Sequence, residues 1–203
     1  MRVIIMRHGE TVGNVERRYL GKSESPLTPA GAATGAAMAK WLAAMDAECK
    51  IDRIYTSPRQ RTRQAADRAS ARLARPVTVC DHLREMDFGI FDGLTAEEAE
   101  AKAPAIWQRW LADFSHYRLP GGESADDVMG RARQFLDRVW ESGDASIVVI
   151  THGGVARSLL TALLALPPEA GWHFEIPLGG FAVVDCADGY GILKSLGQVD
   201  NNQ

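Results

Sequence analysis

Short apolar runs, rich in β-branched residues, alternate along the chain with longer segments whose apolar residues recur at helical spacing. Such runs are typical of buried strands, because a strand covered on both faces needs apolar side chains at consecutive positions. The predicted strands cover residues 3–6, 54–56, 77–79, 147–150, 180–185 and 190–194.

Helix starts are marked by hydroxyl residues that can cap the first turn. Thr28 and Ser57 are each followed by proline, which is favoured at the first helical position. With Ser124, they predict helices that run to about residues 45, 73 and 140. Further helices are predicted over 95–114, interrupted at Pro104, and over 155–166.

Strands and helices that alternate in this way predict an α/β fold. We expect a three-layer α/β/α sandwich, in which helices cover both faces of a mostly parallel sheet. No repeat, low-complexity tract or linker divides the sequence, so residues 1–203 are predicted to form a single domain.

The composition narrows the classes of function. The 203 residues carry 23 Lys and Arg against 26 Asp and Glu, a formal net charge of −3. A chain without a basic excess is a poor candidate for binding nucleic acid or a membrane surface. The apolar run at the N-terminus is too short for a signal peptide, and no run approaches the ~20 residues that cross a bilayer. Three widely spaced cysteines form no metal-binding pattern. The short N-terminal apolar run, the lack of a bilayer-length run and the cysteine spacing together predict a cytoplasmic protein.

Two histidines occur in the same local setting, directly after an apolar strand and directly before a glycine. They are His8 and His152. Because ligands of doubly wound sheets bind beyond the carboxyl ends of the strands, we expect both imidazoles at one edge. Arg7 and Arg61 belong to the same edge, and a guanidinium fork matches phosphate oxygens. With the backbone N–H groups of the helix that starts near Gly153, these residues predict a site for a phosphate dianion.

Each of these residues also has a purely structural interpretation. A single histidine at the end of a strand is commonly a packing residue. Arg61 lies on a helix with several other arginines, where a solvated charged face is the ordinary arrangement. The joint pattern of two histidines and two arginines is what favours a site.

These residues belong to a set of motifs that resembles the histidine phosphatase superfamily, also called the phosphoglycerate mutase-like family. The motifs are Arg7-His8-Gly9-Glu10-Thr11 with Asn14, Ser25 to Gly31, Ser57-Pro58 with Arg61, Leu83-Arg84-Glu85, Pro120 to Ser124, and Val149 to Gly154. They occur in the family's order, with one departure at Ala65, where threonine is usual. The resemblance implies the phosphoglycerate mutase-like form of the α/β/α sandwich.

The resemblance also implies a role for each residue of the site. His8 would be the nucleophile that takes the phosphoryl group as a phosphohistidine, and Glu85 would donate a proton to the leaving oxygen. The groups implied to hold the phosphoryl oxygens are Arg7, Arg61, His152, Asn14 and the Gly153 amide. Those implied to line the substrate pocket are Thr11, Leu20 and Gly21.

The chemistry of phosphoryl transfer is compatible with these residue types alone. Positioning and cationic groups carry most of the catalysis, so we expect no metal ion and no cofactor. His8 must attack as a neutral imidazole, so its other ring nitrogen should donate to a backbone carbonyl that fixes the tautomer.

Within the superfamily, the length of the chain favours a phosphatase. Cofactor-dependent mutases carry added segments that shield the phosphohistidine from water, and 203 residues leave little room for them. The sequence is most similar to the α-ribazole phosphatases in Arg84 to Gly89, in the pair Trp107 and Trp110, and in the block from Leu166 to Phe174. The predicted partner is therefore a small phosphorylated metabolite, with α-ribazole 5′-phosphate as the first choice.

Other interpretations stay open at this point. Phosphoserine phosphatases and broad-specificity phosphatases share these features, and a phosphoglycerate mutase is a weaker alternative. A non-catalytic phosphate-binding module is disfavoured, because His8, Arg61 and Glu85 are all present. Trp107 and Trp110 could form a lid or pack in the core. An edge strand near the C-terminus could pair two copies into a homodimer.

Overall fold

The computed structural model describes residues 1–200 and contains a six-stranded sheet. The strands are β1 (Arg2–Arg7), β2 (Arg53–Thr56), β3 (Val77–Val79), β4 (Ser146–Thr151), β5 (Gly180–Ala187) and β6 (Tyr190–Gln198). Their order in the sheet is β3-β2-β4-β1-β5-β6. The four strands β3, β2, β4 and β1 pair in parallel, whereas β5 pairs antiparallel with both β1 and the edge strand β6. All six predicted strands are confirmed.

Seven α-helices are formed by residues 1–200. They are α1 (Val12–Val15), α2 (Pro29–Cys49), α3 (Gln60–Leu73), α4 (Ala96–Lys102), α5 (Pro104–Ala112), α6 (Ala125–Glu141) and α7 (Gly153–Leu163). Within this part of the chain, none of the helices has the length and apolar character needed to cross a bilayer.

The central strands β1 and β4 are buried on both faces of the sheet. Successive side chains of a strand point to opposite faces. In β1, Val3 and Ile5 belong to one hydrophobic cluster, which includes residues of α6 and α7. Ile4 and Met6 belong to a second cluster, which includes residues of α2 and α3. The chain therefore forms the α/β/α sandwich that the sequence predicts.

One helix start differs from the prediction. The α3 helix begins at Gln60 rather than at Ser57-Pro58, and the Ser57 hydroxyl instead accepts from the Arg59 amide and contacts His152. The interruption predicted at Pro104 is confirmed: Pro104 lacks the N–H that would continue α4 and instead starts α5.

The tryptophan pair of α5 belongs to the core. Trp107 and Trp110 are 7% and 2% exposed, and their rings lie 5.5 Å apart between centroids. Both rings contact Tyr19 and Phe91, which fixes them under the loop that follows β3. Of the two roles left open by the sequence, core packing is the one that these contacts support.

A close backbone approach fixes the loop after β1 against the start of α2. An added Cβ on Gly31 would lie 1.9 Å from the carbonyl oxygen of Glu10, and one on Gly9 would lie 2.3 Å from the carbonyl oxygen of Gly31. Thr28 caps α2 and also donates its hydroxyl to the Glu10 carboxylate at 2.8 Å. The segment that follows His8 is therefore held by contacts that leave no room for a side chain.

We expect the substitution Gly31→Ala to lower the free energy of unfolding by about 2 kcal/mol, because backbone would have to move to admit the new methyl group. The matched control is Gly130→Ala, in the interior of α6, where an added Cβ meets nothing within 4 Å. That change should raise stability by about 1 kcal/mol through helix propensity. Thermal and denaturant unfolding of both variants test this, and equal effects would contradict the packing argument.

Candidate active site

The parallel pairing of β1 with β4 brings the two histidines together. Arg7 is level with Thr151 in the register, so His8 and His152 follow their strands at the same edge of the sheet. The His8 amide donates to the Thr151 carbonyl at 3.0 Å. The two imidazole rings meet edge to face with centroids 5.2 Å apart, and both are almost fully buried.

The neutral tautomer of His8 is fixed by its own backbone. Nδ1 lies 2.7 Å from the carbonyl oxygen of Gly9, and since a carbonyl can only accept, Nδ1 carries the proton. This leaves Nε2 with a free lone pair. Burial, aided by the charges of Arg61 and Arg7, lowers the pKa of His8 to about 3.

Both ring nitrogens of His152 are engaged by protein groups. Nδ1 accepts from Nε of Arg61 at 3.2 Å, so Nε2 carries the proton and donates to the Ser57 hydroxyl at 2.8 Å. Burial and the nearby His8 and Arg61 hold the pKa of His152 well below its ordinary value. The two histidines are therefore both neutral near pH 7.

Arg61 is 1% exposed and organises the loop around residues 20–23. Its guanidinium donates to the carbonyl oxygens of Leu20 at 2.8 Å, of Gly21 at 3.1 Å and of Ser23 at 2.9 Å. Burial lowers the pKa of Arg61, yet a guanidinium stays charged at neutral pH. The side chain thus places a fixed cation beside the two histidines, with most of its N–H groups already bonded.

Asp92 completes this loop from the opposite side. Its carboxylate accepts the amides of Gly21, Lys22 and Ser23 and the hydroxyl of Ser23. The sequence assigned Asp92 no role. An acidic residue before glycine gives no signal of its own, because its partners lie about 70 positions earlier in the chain.

Arg7 has one N–H group with no hydrogen-bond partner among the described residues. Its Nη1 donates to the Ile176 carbonyl at 3.0 Å, whereas its Nε is buried and has no hydrogen-bond partner within residues 1–200. Burial lowers the pKa of this guanidinium, although it stays charged at neutral pH. An added Cβ on Gly153 would lie 3.1 Å from Cζ of Arg7, so the glycine allows the guanidinium to lie against the start of α7.

Glu85 is held at the same helix end by two backbone amides. Oε2 accepts from the Gly154 amide and Oε1 accepts from the Met86 amide, both at 3.0 Å. A Cβ on Gly154 would lie 2.6 Å from Oε1, so only glycine admits the carboxyl at this position. Each oxygen keeps a lone pair that no amide occupies.

The structure gives Thr11 and Asn14 a local structural role. Thr11 is the N-cap of α1 and has no exposed surface, and its amide and hydroxyl both donate to Oδ1 of Asn14. Thr11 is therefore closed off from any ligand in this conformation, contrary to the prediction that it lines the pocket. Asn14 lies on the same short helix with its Oδ1 occupied by the cap.

A cavity of about 180 Å³ opens beside Arg7, Glu85 and Gly153. Leu20 and Gly21 are absent from its walls in the described part of the chain, since they face Arg61 instead. The walls are largely aromatic and apolar, and they include Met86, Phe88, Phe114, Val128, Met129, Arg157 and Trp172. The Arg157 guanidinium lies 4.6 Å from the centre of the Trp172 ring, a cation–π contact that sequence reasoning did not identify.

Chemically, the arrangement combines a neutral imidazole nitrogen, two fixed cations and a carboxyl at one edge of the sheet. Of these groups, the Arg7 guanidinium and the Glu85 carboxyl line the cavity. Within residues 1–200, no group of three or more His, Cys, Asp or Glu side chains is placed to hold a metal ion. These features suit recognition of a phosphate group by direct contacts with the protein.

Comparison with known proteins agrees with this geometry. The sequence profile of the histidine phosphatase superfamily (branch 1) matches residues 3–199. A bifunctional protein of Mycobacterium tuberculosis is 33% identical over 199 residues, which form 97% of this chain and 54% of that protein. The chain thus spans about half the length of this relative.

Two further relatives match along nearly their whole length. The adenosylcobalamin/α-ribazole phosphatase of Salmonella typhimurium is 30% identical over 202 residues, covering 97% of this chain and 96% of the relative. The crystal structure of the α-ribazole phosphatase from Shigella flexneri superposes with a TM-score of 0.89 at 26% identity, covering 98% of this chain and 96% of that one. Because the family profile matches residues 3–199, a range that includes every residue of the site described above, the protein belongs to the histidine phosphatase superfamily.

Proposed function

We propose that this protein is a metal-independent phosphomonoesterase that acts through a phosphohistidine on His8. The observation that carries the proposal is the state of the His8 ring. Its Nδ1 proton is bonded to the Gly9 carbonyl, which leaves the Nε2 lone pair free, and the Nε of the preceding residue, Arg7, has no hydrogen-bond partner within residues 1–200. A nucleophile and a donor for a phosphoryl oxygen are thus both available in one buried place.

In the first step, Nε2 of His8 attacks phosphorus in line with the ester oxygen. The P–N bond forms, the P–O bond to the leaving group breaks, and a protonated Glu85 gives its proton to the leaving oxygen. In the second step, water attacks the phosphohistidine, the P–N bond breaks and the Glu85 carboxylate takes the proton from water. The products are an alcohol and inorganic phosphate.

The cations act on the three equatorial oxygens, where charge is concentrated in a loose transition state. Arg7 offers its free Nε, and the Gly153 amide lies at the N-terminus of α7, where backbone donors lack helical acceptors. Arg61 contributes its fixed positive charge, and His152 takes part through the hydrogen bond that it accepts from Arg61, since protein groups occupy both of its ring nitrogens in this conformation. Asn14 keeps its amide nitrogen for the same phosphate, since the cap of α1 uses only its oxygen.

For the substrate we propose a phosphate ester with a planar aromatic portion, with α-ribazole 5′-phosphate as the first choice. Its benzimidazole would lie in the cavity against the aromatic wall that Phe114 and Trp172 form, whose rings meet edge to face at 5.0 Å. The relatives named as α-ribazole phosphatases support this choice. Phosphoserine is the alternative, since Asp126 and Arg157 also line the cavity and could bind its ammonium and carboxylate groups.

The substitution His8→Ala should abolish release of phosphate from p-nitrophenyl phosphate in the presence of EDTA, because it removes the imidazole nitrogen that the proposed mechanism uses as the nucleophile. The wild-type protein should be fully active under the same conditions. Rapid quenching with labelled substrate should trap an acid-labile phosphoenzyme in the wild type and none in the variant. Activity that requires added magnesium, or that survives in the variant, would overturn the mechanism.

His8 should stay neutral across the pH range in which a free histidine titrates. Its pKa is lowered to about 3, so the folded protein takes up no proton on this ring between pH 8 and pH 5. The unfolded chain does take up that proton near pH 6.5, so this histidine lowers the free energy of unfolding progressively as the pH falls below 6.5.

The measurement is an NMR titration of the histidine side-chain nitrogens. The Nδ1–H tautomer of His8 should persist unchanged from pH 8 to pH 5. The exposed His116 is the internal control, because its hydrogen bond to the Asp113 carboxylate raises its pKa and its ring should take up a proton as the pH falls. A His8 midpoint near 6.5 would contradict the geometry.

Removal of the aromatic wall should change substrate preference. We expect Trp172→Ala to lower kcat/KM for α-ribazole 5′-phosphate about tenfold, the size of a lost base–aromatic stacking contact. The losses on phosphoserine and 3-phosphoglycerate should be small. Trp140→Ala, an exposed tryptophan on α6 that lies outside the cavity, is the control. If wild-type protein prefers phosphoserine, the proposed substrate is wrong while the phosphatase chemistry stands.

A further inference from the structure

We propose that Glu123 is the positioning residue that sets the Glu85 carboxyl for proton transfer; the proposal rests on the function proposed above. Glu123 follows the turn at Pro120 to Gly122 and immediately precedes Ser124, the N-cap of α6. It is only 9% exposed, although it carries a charge. A buried carboxylate needs partners that offset its lost hydration, and those partners identify its role.

The contacts of Glu123 fall on both sides of Glu85 in the chain. On one side, Oε1 accepts from the guanidinium of Arg84 at 3.1 Å. On the other side, Oε2 accepts from the Asp87 amide at 3.0 Å, and the Glu123 amide donates to the Asp87 carbonyl at 2.8 Å. The segment that carries Glu85 is thus pinned by Glu123 one residue before it and two residues after it.

Arg131 of α6 fixes Glu123 in turn. Its Nε donates to Oε1 at 3.1 Å and its Nη2 donates to Oε2 at 3.2 Å, a bidentate pairing in which Arg131 is itself only 7% exposed. The remaining Nη1 donates to the His82 carbonyl at 2.6 Å. Charge-assisted bidentate pairs are the most directional hydrogen bonds in proteins, so the long helix α6 is rigidly connected to this segment.

A second anchor comes from the strand that bears the other histidine. The hydroxyl of Thr151, the last residue of β4, donates to the Leu83 carbonyl at 2.7 Å. The backbone from 82 to 87 is therefore held at His82, Leu83 and Asp87, and only the carboxyl of Glu85 points from it to the helix end at Gly154.

This arrangement explains why a residue without access to the phosphate can affect catalysis. Proton transfer needs the donor oxygen within hydrogen-bond distance of the leaving oxygen, and a displacement of about 1 Å can cost up to about 100-fold in rate. Loss of Glu123 frees the segment at both ends. Its effect should therefore appear only where the proton from Glu85 matters.

The test compares kcat/KM on two esters that differ in their need for a proton. p-Nitrophenolate is a good leaving group and departs without being protonated. The alkoxide released from glycerol 2-phosphate is a poor leaving group and must receive a proton as it departs. Glu85→Gln is the reference and should lose about 100-fold on glycerol 2-phosphate and little on p-nitrophenyl phosphate. Glu123→Ala should lose about tenfold on glycerol 2-phosphate and less than about twofold on p-nitrophenyl phosphate.

The double variant shows whether the loss of rate in Glu123→Ala arises through Glu85. If Glu123 acts through Glu85, then Glu85→Gln combined with Glu123→Ala should be no slower on glycerol 2-phosphate than Glu85→Gln alone. Asp185→Asn is the matched control, because it breaks a surface ion pair with Arg2 at 2.6 Å, far from the site. It should leave both rates unchanged. Should Glu123→Ala fail to fold, Glu123→Gln and Arg131→Lys take its place.

The outcomes separate the two proposals. Equal losses on both esters in the Glu123 variants, or additive losses in the double variant, would reduce Glu123 to a structural residue. Equal losses in Glu85→Gln itself would instead remove Glu85 as proton donor and with it the basis of the inference. Absence of activity in the wild type, or activity in His8→Ala, would contradict the proposed function before either comparison is made.

Discussion

The parallel pairing of β1 with β4 is the constraint on which the site depends. Both strands are central and buried, and their register sets Arg7 opposite Thr151. One backbone hydrogen bond, from the His8 amide to the Thr151 carbonyl, then fixes the distance between the two imidazoles. The arginine, carboxyl and loop contacts are arranged around this pair and could not compensate for a shift in register, since a slip of one residue turns every side chain to the opposite face.

The distribution of charge in the site follows from the burial of the two histidines. The histidines contribute no charge near neutral pH, because desolvation and two neighbouring guanidinium groups oppose their protonation. The positive charge of the site therefore resides on Arg7 and Arg61, whose positions are fixed by backbone carbonyl acceptors. A site with preset cations and a neutral nucleophile needs little reorganisation when a dianion enters.

Much of this arrangement could be predicted from sequence, because its signals are local. A strand that ends in His-Gly, a proline after a hydroxyl cap and a run of consecutive apolar residues each depend on neighbouring residues. The start of α3 was misjudged because Ser57 has a distant partner in His152 that outweighs its local capping preference. The roles of Asp92, Glu123 and Arg131 rest on contacts between segments remote in the chain, for which one sequence carries no signal. Thr11 was likewise misplaced because the capping geometry of so short a helix is settled only by the folded loop.

The end of β4 has a consequence for how the molecule loses its activity. All six residues of this strand are buried, and its last residue holds Leu83 while the next is His152. Segments with such burial open only in near-global unfolding, so the two histidines and the segment that carries Glu85 share one cooperative unit. Heating should therefore leave no population in which the fold persists while the site has come apart, and inactivation and melting become a single event.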